Sequence, residues 1–196
     1  MTCITNILKK IYPLPHDHNY NNLSYDVEGL WSITHPNEAD IISSTISKLS
    51  GTNDLTIVDM TSGCGGNTIS FCKYFKNVIA IEFNLKRFNI LKQNIECYDF
   101  NNYTLVCGNS LEYINDTYDV FFLDPPWGGP DYKKQTNIEL YMMGNDLTEI
   151  IDMIPKNKLI VLKLPFNYNF SKFNNYNILL KQAMNNIIII YLCNYK

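Results

Sequence analysis

Residues 55–67 read LTIVDMTSGCGGN, an apolar run that ends in Asp59 and continues into a turn with Gly63, Gly65 and Gly66. An apolar run without alternation is typical of a parallel strand that is buried on both faces. Glycines after such a strand permit a tight turn and let backbone N–H groups approach a ligand at the start of the next helix. The stretch therefore predicts a strand, a ligand-binding turn and a helix. Its spacing, D-x-x-x-G-x-G, differs from the G-x-G-x-x-G of dinucleotide folds.

The same alternation of apolar strand-like runs and helical runs continues on both sides. A helix that begins at Pro36 and stops at Ser50-Gly51 precedes the first strand. The predicted strands are Leu55–Asp59, Val78–Glu82, Tyr103–Gly108, Val120–Asp124, Lys158–Leu164, Ile178–Leu180 and Ile187–Leu192, and the helices between them are Asn67–Phe75, Asn84–Tyr98, Ser110–Ile114 and one that ends near Met153. This order predicts an α/β protein with a doubly wound, mostly parallel seven-stranded sheet. The last two strands are close in sequence, so we expect an antiparallel hairpin and an antiparallel last strand.

Length and composition exclude several classes of protein. A chain of 196 residues with 46% hydrophobic and 18% charged residues is typical of one globular domain. Its apolar runs are far shorter than the ~20 residues of a membrane span, and no signal-peptide core is present, so we expect an intracellular protein without a membrane partner. The six cysteines include no C-x-x-C pair, so we predict neither disulfides nor a metal site. We interpret residues 1–30 as an N-terminal extension that covers the site and residues 31–196 as the catalytic domain.

The net charge limits which nucleic acids the chain can bind. A charge of −3 and a pI of about 5.6 disfavour a protein that follows a nucleic-acid backbone, duplex DNA included, but they allow a small or end-on nucleic-acid ligand. The chain has one arginine, Arg87, against fifteen lysines. Phosphates must therefore be held by lysine or by backbone N–H groups rather than by paired guanidinium contacts.

Polar side chains follow the first three predicted strands, at the sheet edge where α/β proteins bind ligands. The carboxylate of Asp59 suits a cofactor with a cationic ammonium group, and S-adenosylmethionine fits. Glu82, 23 residues further on, can accept hydrogen bonds from both ribose hydroxyls; the alternative is a solvated glutamate that caps the next helix. Asn109 is placed either beside an adenine edge or as the N-cap of the following helix.

After the fourth predicted strand the chain reads DPPWGGPDY, residues 124–132. Two prolines remove two N–H donors, which leaves the carbonyls of this turn available as acceptors. Acceptors at Asp124 and at the Pro125 carbonyl can orient a planar amino group and assist its loss of a proton, which is most of what a methyl transfer to nitrogen requires. Trp127 is expected to stack on the base that carries this amine. An ordinary core tryptophan is the alternative, but the following Gly-Gly-Pro favours a loop.

These motifs resemble the trimethylguanosine synthase family, whose members are class I S-adenosylmethionine-dependent methyltransferases that act on the exocyclic N2 of a 7-methylguanosine RNA cap. The resemblance rests on PPWGGPDY at residues 125–132, DVEGLWSIT at residues 26–34 and GGNTI at residues 65–69. It runs from about Ser24 to Asn169 and covers the catalytic core. It implies S-adenosylmethionine as the cofactor and, as the substrate, 7-methylguanosine-capped RNA or a free cap analogue. We expect a monomer.

The resemblance also implies roles for single residues. Trp127 is similar to the tryptophan that stacks on methylguanine, and Asp59 and Glu82 to the acids that bind the cofactor. Trp31 and Thr34 are similar to a segment that closes over the site. Lysines that could meet the cap triphosphate are Lys133, Lys134 and Lys163.

Two residues depart from the family pattern. Family members usually carry a neutral Ser or Asn where this chain has Asp124, and an acidic residue where it has Asn109. Asp-Pro-Pro-Trp also occurs in adenine-N6 methyltransferases. The sequence therefore leaves two alternatives open: an adenine-N6 or rRNA guanine-N2 methyltransferase that acts on longer nucleic acid, and a cap-binding module without transfer activity.

Overall fold

The computed structural model of the protein describes residues 3–194. The chain divides into two compact units, and the boundary falls between Gly108 and Asn109. Among the described residues, no helix combines the length and the apolar character that crossing a bilayer requires.

The first unit contains five α-helices, one 3-10 helix (Tyr20–Asn22) and three strands in the part of the chain that the structure describes. The helices are α1 (Cys3–Ile11), α2 (Val27–Ser32), α3 (Pro36–Ser50), α4 (Gly66–Tyr74) and α5 (Leu85–Ile95), and the strands are β1 (Thr56–Asp59), β2 (Asn77–Glu82) and β3 (Tyr103–Cys107). β2 pairs in parallel with both β1 and β3. Asp59 is in register with Ala80, and Glu82 with Cys107, so the carboxyl ends of the three strands lie at one edge.

Over its described residues, 109–194, the second unit contains six strands and one α-helix. They are β4 (Val120–Leu123), β5 (Tyr141–Met142), β6 (Asn145–Asp146), α6 (Leu147–Met153), β7 (Leu159–Pro165), β8 (Asn177–Met184) and β9 (Ile187–Cys193). β4 and β7 are parallel, whereas β9 runs antiparallel to both β7 and β8. β5 and β6 form a separate two-stranded hairpin.

The strand order is β3-β2-β1-β4-β7-β9-β8 in a seven-stranded sheet. This confirms the predicted mostly parallel sheet with an antiparallel last strand. The turn between β8 and β9 contains Asn185 at φ +48°, a left-handed conformation that asparagine tolerates.

Most predicted elements match the structure to within one residue in length, and two differ by more. The helix predicted to reach Tyr98 ends at Ile95, because the N–H groups of Cys97 and Tyr98 bond three residues back and tighten the chain into a turn. β8 has eight residues instead of the predicted three, because pairing with β9 continues through its polar half, where Gln182 is in register with Ile189. Pairing with a neighbouring strand, which periodicity does not report, extends β8 beyond its apolar residues.

The N-terminal residues pack into the core of the first unit. Leu8, Ile11 and Tyr12 of this segment are buried, as is Leu23. A buried polar cluster fixes the segment: Asn94 Nδ2 of α5 lies 2.7 Å from the Tyr12 hydroxyl and 2.9 Å from two carbonyl oxygens, those of Ser24 and Cys64. The division of the chain at residue 30 stays a prediction.

Candidate active site

The glycine turn after β1 is held open by backbone conformations that only glycine adopts without strain. Gly65 has φ +101°, and a Cβ on it would lie 3.1 Å from Leu91 Cδ1. A Cβ on Gly66 would lie 3.0 Å from both Ile33 Cγ2 and the carbonyl oxygen of Thr34. The turn therefore packs closely against α5 on one side and against the segment that follows α2 on the other.

Asp59 lies beneath this turn and is fully buried. The Thr68 hydroxyl donates to Asp59 Oδ2 over 2.7 Å, and the Thr61 N–H donates to Oδ1 over 3.3 Å. One carboxylate thus ties the end of β1 to the turn and to the first residues of α4. The Asp59 carboxylate therefore lies directly against the backbone of the turn.

Glu82 closes the turn from the end of β2, where it is 8% exposed. Its Oε2 accepts the Gly63 N–H over 2.9 Å, and its Oε1 accepts the Asn84 N–H over 2.8 Å. A carboxylate oxygen has two lone pairs, so each oxygen can accept one more hydrogen bond from a ligand. The alternative that Glu82 caps the next helix is wrong, since the N-cap of α5 is Asn84, whose side chain accepts from the Arg87 N–H.

The segment that contains Trp31 and Thr34 is fastened to the glycine turn. Asn67 Nδ2, at the start of α4, donates to Thr34 Oγ1 over 2.9 Å, and both residues are buried. Trp31 is 69% exposed. Asn67 Oδ1 is buried and accepts no hydrogen bond from the described residues, so a polar acceptor at this turn is left for a ligand to satisfy.

The chain's single arginine holds the helix α2 in place, a contact that the sequence analysis missed. Arg87 Nε and Nη2 each donate to Asp26 Oδ2 over 3.2 Å, and Arg87 also pairs with Glu28. Burial opposes the ionisation of Asp26, but the Gly29 N–H and the Arg87 guanidinium outweigh it and hold the pKa of Asp26 below its ordinary value. Two features of the sequence could have indicated this contact. Asp26 directly precedes a short helix, and Arg87 carries the only guanidinium that could pair with it.

In the second unit, Asn109 is the N-cap of a short 3-10 helix, Ser110–Tyr113, and its side chain accepts the Leu111 N–H over 3.1 Å. The capping alternative is therefore confirmed. Contact with an adenine edge stays a prediction.

Asp124 and Lys163 form a buried ion pair. β4 and β7 are parallel, and Leu123 is in register with Leu162. Asp124, which directly follows β4, therefore lies beside Lys163 of β7. Lys163 Nζ lies 2.6 Å from Asp124 Oδ2, and the two side chains are 6% and 12% exposed. Burial raises the pKa of Asp124, while the ammonium of Lys163 acts in the opposite direction.

Trp127 lies on the loop that follows, beside this ion pair. Lys163 Nζ is 5.3 Å from the centroid of the indole ring, within the range of a cation–π contact. Tyr132 meets the same ring edge-to-face, with 5.1 Å between centroids. Trp127 is partly exposed as a residue and precedes two glycines at positive φ, while its indole Nε1 is buried and has no hydrogen-bond partner among the described residues. It is therefore not an ordinary core tryptophan.

The three lysines predicted to meet phosphates differ in their surroundings. Lys133 is exposed, with its Nζ 5.9 Å from the Tyr132 ring, and Lys134 pairs at the surface with Asp131. Lys163 is 5% exposed, and its ammonium contacts Asp124 and the indole of Trp127 instead of facing solvent. This placement disagrees with the prediction that Lys163 contacts a phosphate of the cap.

Asn167 is a second residue that the sequence analysis missed. Its Nδ2 donates to the carbonyl oxygens of Tyr132 and Gln135, over 2.9 Å and 2.7 Å. These bonds hold the 3-10 helix Pro130–Lys134, which directly follows the residues around Trp127 in the chain. No motif marks Asn167, and its role follows from its position two residues after β7.

Comparison with solved structures defines the fold. A tRNA (m1A58) methyltransferase from Aquifex aeolicus matches with a TM-score of 0.61 over 89% of this chain and 73% of its own, at 12% identity. A class I S-adenosylmethionine-dependent methyltransferase fold from Listeria monocytogenes matches equally well, with a TM-score of 0.61 over 88% of this chain and 63% of its own, also at 12% identity. The fold is therefore that of class I S-adenosylmethionine-dependent methyltransferases, and S-adenosylmethionine is the cofactor of the class.

Sequence comparison then identifies the family. The model of the RNA cap guanine-N2 methyltransferases matches residues 55–195, and the chain belongs to this family. The trimethylguanosine synthase of Schizosaccharomyces pombe is 34% identical over 146 residues, which cover 67% of this chain and 58% of the yeast protein. An uncharacterised protein of Acanthamoeba polyphaga mimivirus is 39% identical over 126 residues, 61% of this chain and 49% of its own. The chain thus spans about half the length of the curated relatives it matches.

Proposed function

We propose that this protein transfers a methyl group from S-adenosylmethionine to the exocyclic N2 of a 7-methylguanosine cap. The observation that carries the proposal is the loop at residues 124–132, where a carboxylate, a proline carbonyl and a partly exposed tryptophan follow one strand. Family membership supports the reaction class, and this loop supports the choice of atom. The product is 2,7-dimethylguanosine and, after a second transfer, 2,2,7-trimethylguanosine.

The first unit supplies most of the residues that we assign to the cofactor. Glu82 retains the lone pairs to accept the two ribose hydroxyls, and the turn at Gly63 and Gly65 lets the cofactor approach the backbone. Asp59 attracts the ammonium group by its charge beneath the turn. The unpartnered Asn67 Oδ1 supports a polar ligand at this position.

Three further residues are assigned to the cofactor, two in the first unit and one in the second. In the first unit, Thr34 is anchored through Asn67, and we assign the segment from Trp31 to Thr34 to closing over the cofactor. Asn109 belongs to the second unit, and we assign its amide group to the adenine edge. Its side-chain oxygen already accepts the Leu111 N–H, so its Nδ2 is the group that would donate.

The second unit supplies the residues that we assign to the guanine. S-adenosylmethionine, when bound, supplies an electrophilic methyl group. The carboxylate of Asp124 and the carbonyl of Pro125 accept hydrogen bonds from the two N–H groups of N2 and so orient its lone pair. As N2 bonds to the methyl carbon, the bond from that carbon to the cofactor's sulfur would break, S-adenosylhomocysteine would leave, and N2 would lose a proton, which Asp124 is placed to accept.

Trp127 accounts for a preference for a base that is already methylated at N7. A guanine methylated at N7 carries a delocalised positive charge, and stacking on an indole gains about 0.5–2 kcal/mol from the cation–π interaction. Unmethylated guanine lacks this gain. Lys133 and Lys134 remain as the lysines that we assign to the cap triphosphate, because both are exposed at the end of this loop.

Methyl transfer to free nucleotides tests the proposal. The purified protein is incubated with labelled S-adenosylmethionine and either 7-methyl-GTP or GTP, and the label in the nucleotide is counted. We expect transfer to 7-methyl-GTP to exceed transfer to GTP by about 2- to 30-fold, the range that corresponds to 0.5–2 kcal/mol. Equal activity on both would contradict recognition of the cap.

Asp124 favours a second candidate function, because the motif Asp-Pro-Pro-Trp also occurs in adenine-N6 methyltransferases, which would act on longer nucleic acid. That enzyme, or an rRNA guanine-N2 methyltransferase, would label uncapped RNA or DNA in a filter assay, whereas the cap enzyme would not. The net charge of −3 supports the cap enzyme.

A cap-binding module without transfer activity would show no affinity for S-adenosylhomocysteine by calorimetry.

A further inference from the structure

Lys163 presents a problem of charge at the proposed guanine site. Its ammonium lies 5.3 Å from the centroid of the Trp127 ring, on which the proposal places a base that itself carries a positive charge. An ammonium already uses the attraction of the indole for cations and repels a second cation on the same ring. A buried lysine at this position therefore opposes the preference for a methylated base unless its charge is balanced.

Asp124 supplies this balance. Its Oδ2 is 2.6 Å from the ammonium, Asp124 directly follows β4 while Lys163 lies on the parallel strand β7, and both side chains are largely buried. Little water is available to screen either charge, so the carboxylate and the ammonium act on the ring mainly as a neutral pair. We therefore connect the carboxylate at position 124, where family members usually carry a neutral side chain, with the lysine at position 163, whose charge it balances.

We propose that the Asp124–Lys163 ion pair determines the specificity of Trp127 for an N7-methylated base, with Asp124 acting as the counter-ion that allows the indole to accept a cation. This inference rests on the proposed function and gives Asp124 a second role beside its contact with the amine. It makes Lys163 a positioning residue, not a phosphate ligand.

The proposal predicts opposite effects for the two halves of one ion pair. Asp124→Asn removes the carboxylate and leaves the positive charge beside the ring, so the ratio of affinities for 7-methyl-GTP and GTP should fall. A base stacked on the far face of the ring would lie about 9 Å from the ammonium, and at this distance the repulsion in a partly buried site lowers the ratio roughly tenfold. Lys163→Met removes the ammonium and should not lower the ratio.

The test is isothermal titration calorimetry of 7-methyl-GTP and of GTP with the wild type, with Asp124→Asn, with Lys163→Met and with the double variant. We expect the ratio to fall about tenfold in Asp124→Asn, to be maintained or raised in Lys163→Met, and to return to within about threefold of the wild type in the double variant. Binding is measured without turnover, so the loss of the amine contact does not obscure the result.

Lys158→Met is the matched control. Lys158 precedes the same strand and pairs with Asp116 over 3.0 Å at the surface. It lies five residues from Lys163, about 17 Å along an extended strand, so its removal should leave the ratio unchanged. Thermal unfolding of each variant checks that it is folded.

The outcomes separate this proposal from the proposed function. A wild type that does not prefer 7-methyl-GTP would overturn both. A wild type that prefers it, with a ratio that Asp124→Asn leaves unchanged, would overturn the ion-pair proposal alone. A fall of the ratio in both single variants would overturn it too, because a purely structural role for the pair predicts that result.

Discussion

Replacing Asn94 by leucine tests how the N-terminal segment and the glycine turn are held together. Asn94 is fully buried on α5. Its Nδ2 lies within 2.9 Å of the Tyr12 hydroxyl, the Ser24 carbonyl and the Cys64 carbonyl, and its Oδ1 accepts the Ser24 N–H over 2.8 Å. The side chain has two N–H donors for the three oxygens, so it makes about three hydrogen bonds at a time.

The magnitude follows from these bonds. Each neutral hydrogen bond contributes about 1 kcal/mol net, and a buried carbonyl that loses its donor costs about 1–3 kcal/mol. Leucine fills the volume but bonds to none of these groups, so Asn94→Leu should lower the free energy of unfolding by about 3–5 kcal/mol. The Cys64 carbonyl belongs to the glycine turn, so the affinity for S-adenosylhomocysteine should fall as well.

Urea denaturation followed by circular dichroism gives the free energy of unfolding, and calorimetry gives the affinity for S-adenosylhomocysteine. Gln93→Leu is the control, because Gln93 is the neighbouring residue on α5 and makes one exposed bond of 2.7 Å to the Asn22 carbonyl. It should cost less than about 1 kcal/mol. If the two variants differed by less than about 1 kcal/mol, the account of the buried cluster would be refuted.

Three other predictions concern the two halves of the site and the helix α2. Trp127→Ala should weaken binding of 7-methyl-GTP by on the order of 100-fold, through the loss of base stacking and of the cation–π interaction, and leave the affinity for S-adenosylhomocysteine unchanged by calorimetry; a loss of both affinities would contradict the assignment. Gly65→Ala should cost about 1–3 kcal/mol in urea denaturation, because alanine is strained at φ +101° and its Cβ would press on Leu91; an unchanged midpoint would refute this. Asp26 has a pKa below its ordinary value in the folded protein, so its carboxylate stabilises the fold above about pH 4 and loses this contribution as the pH falls through the folded-state pKa. Asp26→Asn should therefore lower the free energy of unfolding at pH 7 and reduce its decline in acid, and a decline equal to that of the wild type would count against it.

The strands and the glycine turn after β1 could be predicted from the sequence because each depends on residues that are close in the chain. A run such as Val120–Leu123 is apolar throughout because both faces of a parallel strand are buried, and all four residues are buried. Glycines after a strand mark a turn for the same local reason. The predicted strand positions are accordingly confirmed in both units.

The pairing of charged side chains could not be predicted in this way, because it depends on which strands become neighbours. Lys163 and Asp124 are 39 positions apart, and their contact follows from the register of β4 with β7. Arg87 and Asp26 are 61 positions apart. A sequence pattern identifies such residues as charged but does not identify their partners, so Lys163 was predicted to face phosphate and lies instead against a carboxylate.

The position of the transferred methyl group is the most direct test of the central claim. The protein is incubated with 7-methyl-GTP and S-adenosylmethionine labelled with carbon-13 in the methyl group, and the product is examined by NMR. We expect the labelled methyl protons to couple to guanine C2 and to no other ring carbon, which places the new group on N2 and distinguishes it from a methyl group on N1 or N3. A label on any other atom, or its appearance in GTP to the same extent, would contradict the account.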